Sequence, residues 1–200
     1  SEVDTGSKDI IEGGSVYYGL TVTNVGNSAD TFVISIDETS IPTDWDAQLG
    51  SLTDTGSLAP GASYTFNEAM FVYAPDDAVA DDIALIYIVV TSDADTNTSK
   101  PFQTRSTVAQ NYKPTIQTTS QTNSGAPGTV VSYTFTVTNA GNGNDEFSIE
   151  ITEPNADECS QNNAACWGVD LTPDDVTPQL SPDGTFAFTP NMTINENALK

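Results

Sequence analysis

Histidine is absent from the 200 residues, and 5 lysines and arginines stand against 28 aspartates and glutamates, a formal charge of −23. Without histidine the chain lacks the usual general base, the usual partner of a nucleophilic serine or cysteine, and the commonest metal ligand. Without a basic patch it has no footprint for a phosphate backbone or an anionic lipid surface, so nucleic acid and membrane are excluded as partners. Two cysteines without histidine leave too few soft ligands for zinc. No run of about 18 apolar residues occurs, and the first residues carry neither a basic flank nor a hydrophobic segment, so neither a membrane span nor a signal peptide is expected here. The abrupt start and stop read as those of an excerpt from a mature or larger protein.

What remains is modest in apolar content, 37%, but includes eight Phe, seven Tyr and two Trp, enough for small sandwich cores. Charged residues make up 16%, below a norm of about 25%, so the surface is mainly Thr, Ser, Asn and Asp. Of the acids 19 are Asp and 9 are Glu, a bias that suits turns over helices.

An internal repeat organises the chain. SVYYGLTVTNVGNSADTFVISI, from Ser15 to Ile36, aligns with VVSYTFTVTNAGNGNDEFSIEI, from Val130 to Ile151, at an offset of 115. Beyond a seven-residue insertion in the second copy the offset becomes 122, and Trp45, Leu58, Pro60, Tyr64 and Phe66 meet Trp167, Leu180, Pro182, Phe186 and Phe188. The repeat divides the chain into domains at 1–109 and 115–200, with a linker at 110–114.

Alternation supplies the secondary structure. Val16, Tyr18, Leu20 and Val22 share one face of a strand, as do Phe32, Ile34 and Ile36, and the second copy repeats the pattern. Asn24 to Ala29 and Asn139 to Asn144 supply residues that tolerate positive φ and read as tight connections. LAPGASYTF and LSPDGTFAF each place a proline turn before a strand. Ile83 to Val90, IALIYIVV, is apolar on both faces, which predicts a central strand covered on each side. Short strands at this spacing predict an all-β fold of two tandem Ig-like antiparallel β-sandwich domains. The second lacks equivalents of Val79 to Gln110, because Lys200 aligns with Ala78.

TVTNVGNSADTFVISI, then Trp45, then LAPGASYTFNEAMFVYAPDDAVADD and TSDADTN, resembles the NPCBM-associated Ig-like domain and the related CARDB-type adhesion domain of secreted archaeal and bacterial proteins. Asp81 stands where that family often has Gly. The resemblance covers the first domain throughout and the second as far as NMTINENALK. It implies a non-catalytic module on a cell surface or beside a secreted enzyme.

Chemistry-bearing motifs are few. DTGS, the signature of aspartic proteases, occurs at Asp4 to Ser7 and at Asp54 to Ser57, but the dyad needs an apolar niche and the neighbours here are polar, so turns are expected. No GxSxG elbow or phosphate-binding glycine loop is present. Cys159 and Cys166 fall in the insertion unique to the second domain, where a disulfide would close a short loop and imply an oxidising compartment.

No cofactor is required by any motif. Calcium is the one ligand whose oxygen donors the chain supplies in quantity, at one end of the first sandwich from Asn27, Asp30, Asp93 and Asp95, and at the other from Asp76, Asp77, Asp81 and Asp82 with Asp37, Asp44 or Asp46. The simpler account is solvated turn acids, since no fixed ligand spacing is present. Asn97 and Asn191 begin N-x-S/T sequons, which suit glycosylation of a secreted chain and also arise by chance in a sequence so rich in Asn, Thr and Ser. Trp45 and Trp167, at equivalent positions, read as core and not as a sugar-stacking platform.

The functional expectation is an extracellular or cell-surface stalk, spacer or adhesion module that meets other protein domains or like subunits. One alternative is a carbohydrate-binding accessory module of a secreted glycan-active enzyme. Another is a filament subunit whose second domain is completed by a donated strand.

The charge divides as −14 over residues 1–111, from 17 acids and 3 bases, and −9 over residues 112–200, from 11 acids and 2 bases. It is therefore a property of the whole surface. Raising ionic strength from ~0.01 to ~0.15 M shortens the Debye length from ~30 to ~8 Å and should raise Tm by relieving self-repulsion. A thermal melt series in NaCl checks this, and a salt-independent Tm contradicts it.

Overall fold

The computed structural model describes residues 2–3, 7–117, 121–151, 167–170, 175–194 and 196. The chain divides into two units, Ser1–Asn111 and Tyr112–Lys200.

The first unit contains β1 (Glu2–Val3), β2 (Ser7–Ile10), β3 (Ser15–Thr23), β4 (Asp30–Ile36), a 3-10 turn (Glu38–Ser40), β5 (Asp46–Leu49), β6 (Asp54–Leu58), β7 (Ser63–Tyr73), β8 (Ile83–Ser92) and β9 (Ser99–Val108). They form a sheet of order β1-β3-β7-β5 and a sheet of order β2-β9-β8-β4-β6, an Ig-like sandwich. Pairing is antiparallel except that β2 runs parallel to β9, with Ile10 opposite Val108. The first edge of the chain thus joins both sheets, β1 on β3 and β2 on β9.

Period-two alternation packs the core. Tyr18, Leu20 and Val22 of β3 face Ile34 of β4, Phe66, Met70 and Val72 of β7, and Ala84, Ile86, Ile88 and Val90 of β8. Between Tyr18 and Leu20 the register with β7 shifts, at a bulge beside Gly19, where a Cβ would lie 3.3 Å from the carbonyl oxygens of Phe66 and Asn67.

β8 is the middle strand of its sheet, but only one of its faces is covered, contrary to the expectation from its apolar run. Ile83 and Leu85 on the other face are 43% and 41% exposed. Their cross-strand neighbours Thr107 and Arg105 are polar, so this is the solvent side of the sheet. A continuous apolar run does not by itself distinguish a twice-covered strand from one whose outer face carries hydrophobic side chains in water.

The second unit contains β10 (Pro114–Ile116), β11 (Val130–Ser132), β12 (Phe135–Asn139), β13 (Trp167–Asp170), β14 (Thr185–Phe188) and β15 (Asn191–Ile194), in sheets of order β10-β12-β14 and β11-β15-β13. Pro114, expected to close a linker, instead opens β10 and pairs with Asn139. The repeat is visible in the register: Leu20 and Val22 face Phe66 and Tyr64, and Phe135 and Val137 face Phe188 and Phe186. Asp30 opposite Leu58 recurs as the bridge of Asp145 to Leu180.

The repeat also preserves one polar device in the core. The Asn24 side chain, 1% exposed, donates through Nδ2 to the carbonyls of Ser28 (2.9 Å) and Leu58 (2.8 Å) and accepts at Oδ1 from Gly26 N–H (2.9 Å). Asn139, fully buried, does the same with Gly143 (2.8 Å), Leu180 (2.9 Å) and Gly141 (3.0 Å). Thr23 ends a strand of one sheet and Leu58 ends a strand of the other, so the amide ties the sheets together at a corner. The NxGN segment is therefore a crossing between sheets, not a hairpin.

The main chain of each Asn is paired as well. Asn24 accepts from Gly61 N–H and donates to Ala62, and Asn139 accepts from Asp183 N–H and donates to Gly184. The residue donating to the Asn carbonyl lies in left-handed backbone in both copies, Gly61 at φ 79° and Asp183 at φ 60°. Asp81, placed where the resembling family often has Gly, is likewise left-handed, at φ 70°. Asp is among the few residues with a side chain that tolerate this region.

Asn24→Ala strands a turn N–H and two carbonyls in the core and should cost about 2–3 kcal/mol of stability in the first unit. Asn139→Ala should do the same in the second. Urea denaturation checks both, and a loss under about 0.5 kcal/mol for either would show that water replaces the amide.

Candidate functional site

The loop end of the first unit gathers part of the first expected calcium set. Asp30 opens β4, and its carboxylate reaches the β8–β9 connection: Oδ2 accepts from the Ser92 hydroxyl (2.6 Å), and Oδ1 accepts from Thr31 N–H (2.8 Å) and Ala94 N–H (3.1 Å). Asp95 accepts from Asn97 N–H (3.1 Å) and the Thr98 hydroxyl (2.8 Å). These bonds hold both carboxyls below the usual carboxylate range, the Ser92 bond leading for Asp30 and the Thr98 bond for Asp95, while Asp95 pushes Asp30 slightly up. Asn27 and Asp93 are exposed beside them. The oxygens of Asp30 and Asp95 are thus committed to protein donors and organise the loop.

The second set is more scattered in its bonding. Asp82 accepts from Val79 N–H, Asp37 caps the 3-10 turn by accepting from Thr39 N–H, and Asp46 accepts from Ala47 N–H and the Gln48 amide. Asp44 and Asp81 occupy left-handed backbone, and Asp76 and Asp77 are exposed. Among the described residues no group of three or more acidic, cysteine or histidine side chains is placed to hold a metal ion.

Asp54 of the second DTGS spends Oδ1 on Gly56 N–H in an edge strand, and Asp4 of the first lies outside the described residues. Trp45 is half-buried against both apolar clusters of the first unit, while Trp167 begins β13 and its side chain is outside what is described. Cys159 and Cys166 also lie outside the described residues. Asn97 is exposed in the β8–β9 turn, whereas Asn191 sits in the middle strand of its sheet and accepts from the Ser132 hydroxyl at 2.7 Å.

The largest concave feature is in the second unit, an apolar groove of about 830 Å³. Its floor includes Tyr133, Phe135, Val137, Phe188 and Met192, and one wall is the segment Glu146 to Ile151. That segment bonds on one side to 175–180, through Ile149 N–H to Asp175 and Thr177 N–H to Phe147. In the first unit the other side of the equivalent strand, β4, carries β8, with Asp93 N–H donating to Thr31 and Asp37 N–H to Tyr87. In the second unit the backbones of Ser148 and Glu150 have no hydrogen-bond partner among the described residues on that side. The groove went unseen as a site at the sequence level, although the missing equivalent of Ile83 to Val90 pointed to its position.

No family model and no curated protein sequence matches the chain. Among solved structures, it is similar to the CupB2 chaperone of Pseudomonas aeruginosa, with 11% identity, a TM-score of 0.34, and coverage of 99% of this chain and 96% of that one. It is also similar to the class 5 fimbriae chaperone CfaA, with 12% identity, a TM-score of 0.29, and coverage of 92% and 83%. The secreted serine protease VesC of Vibrio cholerae gives 12% identity, a TM-score of 0.35, and coverage of 96% and 45%. Likeness of this size does not bear on what the chain does. Among the described residues no helix is long and apolar enough to cross a membrane.

Because Asp30 is held below the ordinary Asp value of about 3.9, its contribution to stability is fully present above that value and is lost as pH falls through it and through the lower folded value. Asp30→Asn should lower Tm at pH 7 and narrow the gap to wild type below about pH 3.5. A gap that stays constant from pH 7 to pH 3 would remove Asp30 from this role. The same melts with millimolar calcium test the cation reading, which requires a rise in Tm that Asp30→Asn abolishes.

Proposed function

We propose that the chain is a non-catalytic structural or adhesion module, a stalk or spacer of a secreted or cell-surface protein, whose partners are other protein domains or like subunits. The observation that carries this is the twice-built sheet corner, Asn24 with Leu58 and Asn139 with Leu180, which repeats structure and repeats no reactive group. The resemblance of TVTNVGN, Trp45 and LAPG to CARDB-type adhesion domains supports it, as does a surface whose acids are largely engaged in turns. A module that must persist outside a cell gains from a uniform negative surface, which keeps copies apart until a specific contact forms.

The carbohydrate-accessory reading needs an exposed aromatic platform. Trp45 is packed against the core, which weighs against a platform there. On the structural reading Trp45→Ala costs about 3 kcal/mol of stability in the first unit and changes no ligand affinity. A glycan array with the wild-type protein checks the alternative. Specific retention of one sugar class, abolished by Trp45→Ala at a temperature where the variant is folded, would overturn the structural reading.

A further inference from the structure

The geometry points to the apolar groove of the second unit as a docking site for one extended β-strand supplied by another polypeptide, laid antiparallel along Glu146 to Ile151. This deepens the assembly-module reading above and rests on it only for the donor being a protein partner. The chain itself shows what such an occupant is. In the first unit the equivalents of Tyr133, Phe135, Ile149 and Met192 are Tyr18, Leu20, Ile34 and Met70, all at most 1% exposed beneath Ala84, Ile86, Ile88 and Val90 of β8. In the second unit the same four positions are only half-buried and line the groove. No other stretch of the 200 residues repeats the IALIYIVV pattern.

Register and chemistry follow from the repeat. Val33 pairs with Thr91 and Ser35 with Val89, so Ser148 and Glu150 are the residues whose N–H and C=O receive the strand. The inward positions of the strand take small or β-branched apolar residues, as Ala84, Ile86, Ile88 and Val90 do. Its outward positions fall beside the exposed side chains of Glu146 and Glu150, on a chain of net charge −23. Opposite charges in cross-strand pairs are favourable and like charges are not, so lysine or arginine is preferred there. Main-chain bonds supply affinity and the alternating pockets supply selectivity, which is strand addition to an open edge.

The probe is a fluorescein-labelled peptide with the sequence Ile83–Ser92 carrying Tyr87→Lys and Val89→Lys, titrated with the whole 200-residue protein and read by anisotropy. Binding at least tenfold tighter than that of the same peptide with Ile86→Asp and Ile88→Asp is expected. Ser148→Pro in the protein removes an N–H on the groove side and leaves the bonds to 175–180 in place, so it should weaken binding at least tenfold while the protein melts as before. If Ser148→Pro unfolds the second unit, Glu146→Lys with Glu150→Lys serves instead, and should weaken the dilysine peptide while strengthening one with Tyr87→Glu and Val89→Glu. Equal binding of the apolar and Asp-substituted peptides overturns the proposal, as does no binding at all, which would mean that the chain closes the groove itself. Neither result touches the stalk reading, which the glycan array decides.

Discussion

Two buried asparagine side chains hold the corners on which both sandwiches turn. A crossing between sheets leaves turn amides and carbonyls facing inward, where water does not reach, and such groups cost about 1–3 kcal/mol each if unpaired. One primary amide satisfies three of them because it carries two donors and an acceptor in a fixed plane. Asn24 uses one donor on its own turn at Ser28 and the other across the sandwich at Leu58, so local and long-range structure form together. The aspartate of the same size could accept but not donate, and a hydrophobic residue could do neither. Beside it, Thr55 accepts from Phe32 N–H at 3.0 Å and Thr177 from Phe147 N–H at 2.9 Å, closing the remaining gap between β4 and β6 and its counterpart.

Much of this was legible in the sequence because it is written twice. The offsets of 115 and 122 align not only hydrophobic positions but Asn24 with Asn139, Thr55 with Thr177 and Leu58 with Leu180, and the structure uses each pair for the same bond. Alternation in β3 and β4 located their inward faces because half-buried strands must present period two. The role of Asn24 was not legible, since an Asn before Gly signals a turn whether its side chain points to water or into the core. The parallel pairing of β2 with β9 was equally hidden, because it joins residues about a hundred positions apart with no local signature. The single covered face of β8 could not be read from its apolar run, because Ile83 and Leu85 break the binary pattern without being buried.

The candidate site was harder to read than the fold, for a related reason. Acidic loops look alike in sequence whether they bind a cation or cap backbone amides. Asp30, Asp37, Asp46, Asp54 and Asp95 all accept from nearby N–H groups, a use that needs one donor each and no coordinated geometry. The groove of the second unit, by contrast, is defined by hydrophobic side chains that have equivalents buried elsewhere in the same chain. Comparison between repeats therefore locates a surface that composition alone leaves invisible.

An open strand edge beside apolar side chains is a hazard as well as an opportunity, because any extended segment can pair with it. Here the exposed side chains along that edge include Glu146 and Glu150, and every copy of the chain carries the same charges. Edge-to-edge pairing of two copies would bring these carboxylates together in a chain already bearing −23, so the geometry that admits a strand discourages the most abundant wrong one. The first unit needs no such guard at the equivalent edge, since β8 occupies it and Val33 and Ser35 stand where charges would otherwise serve. Replacement of Val33 and Ser35 by Ser148 and Glu150 at the equivalent positions thus marks where the second unit is adapted to remain open and selective.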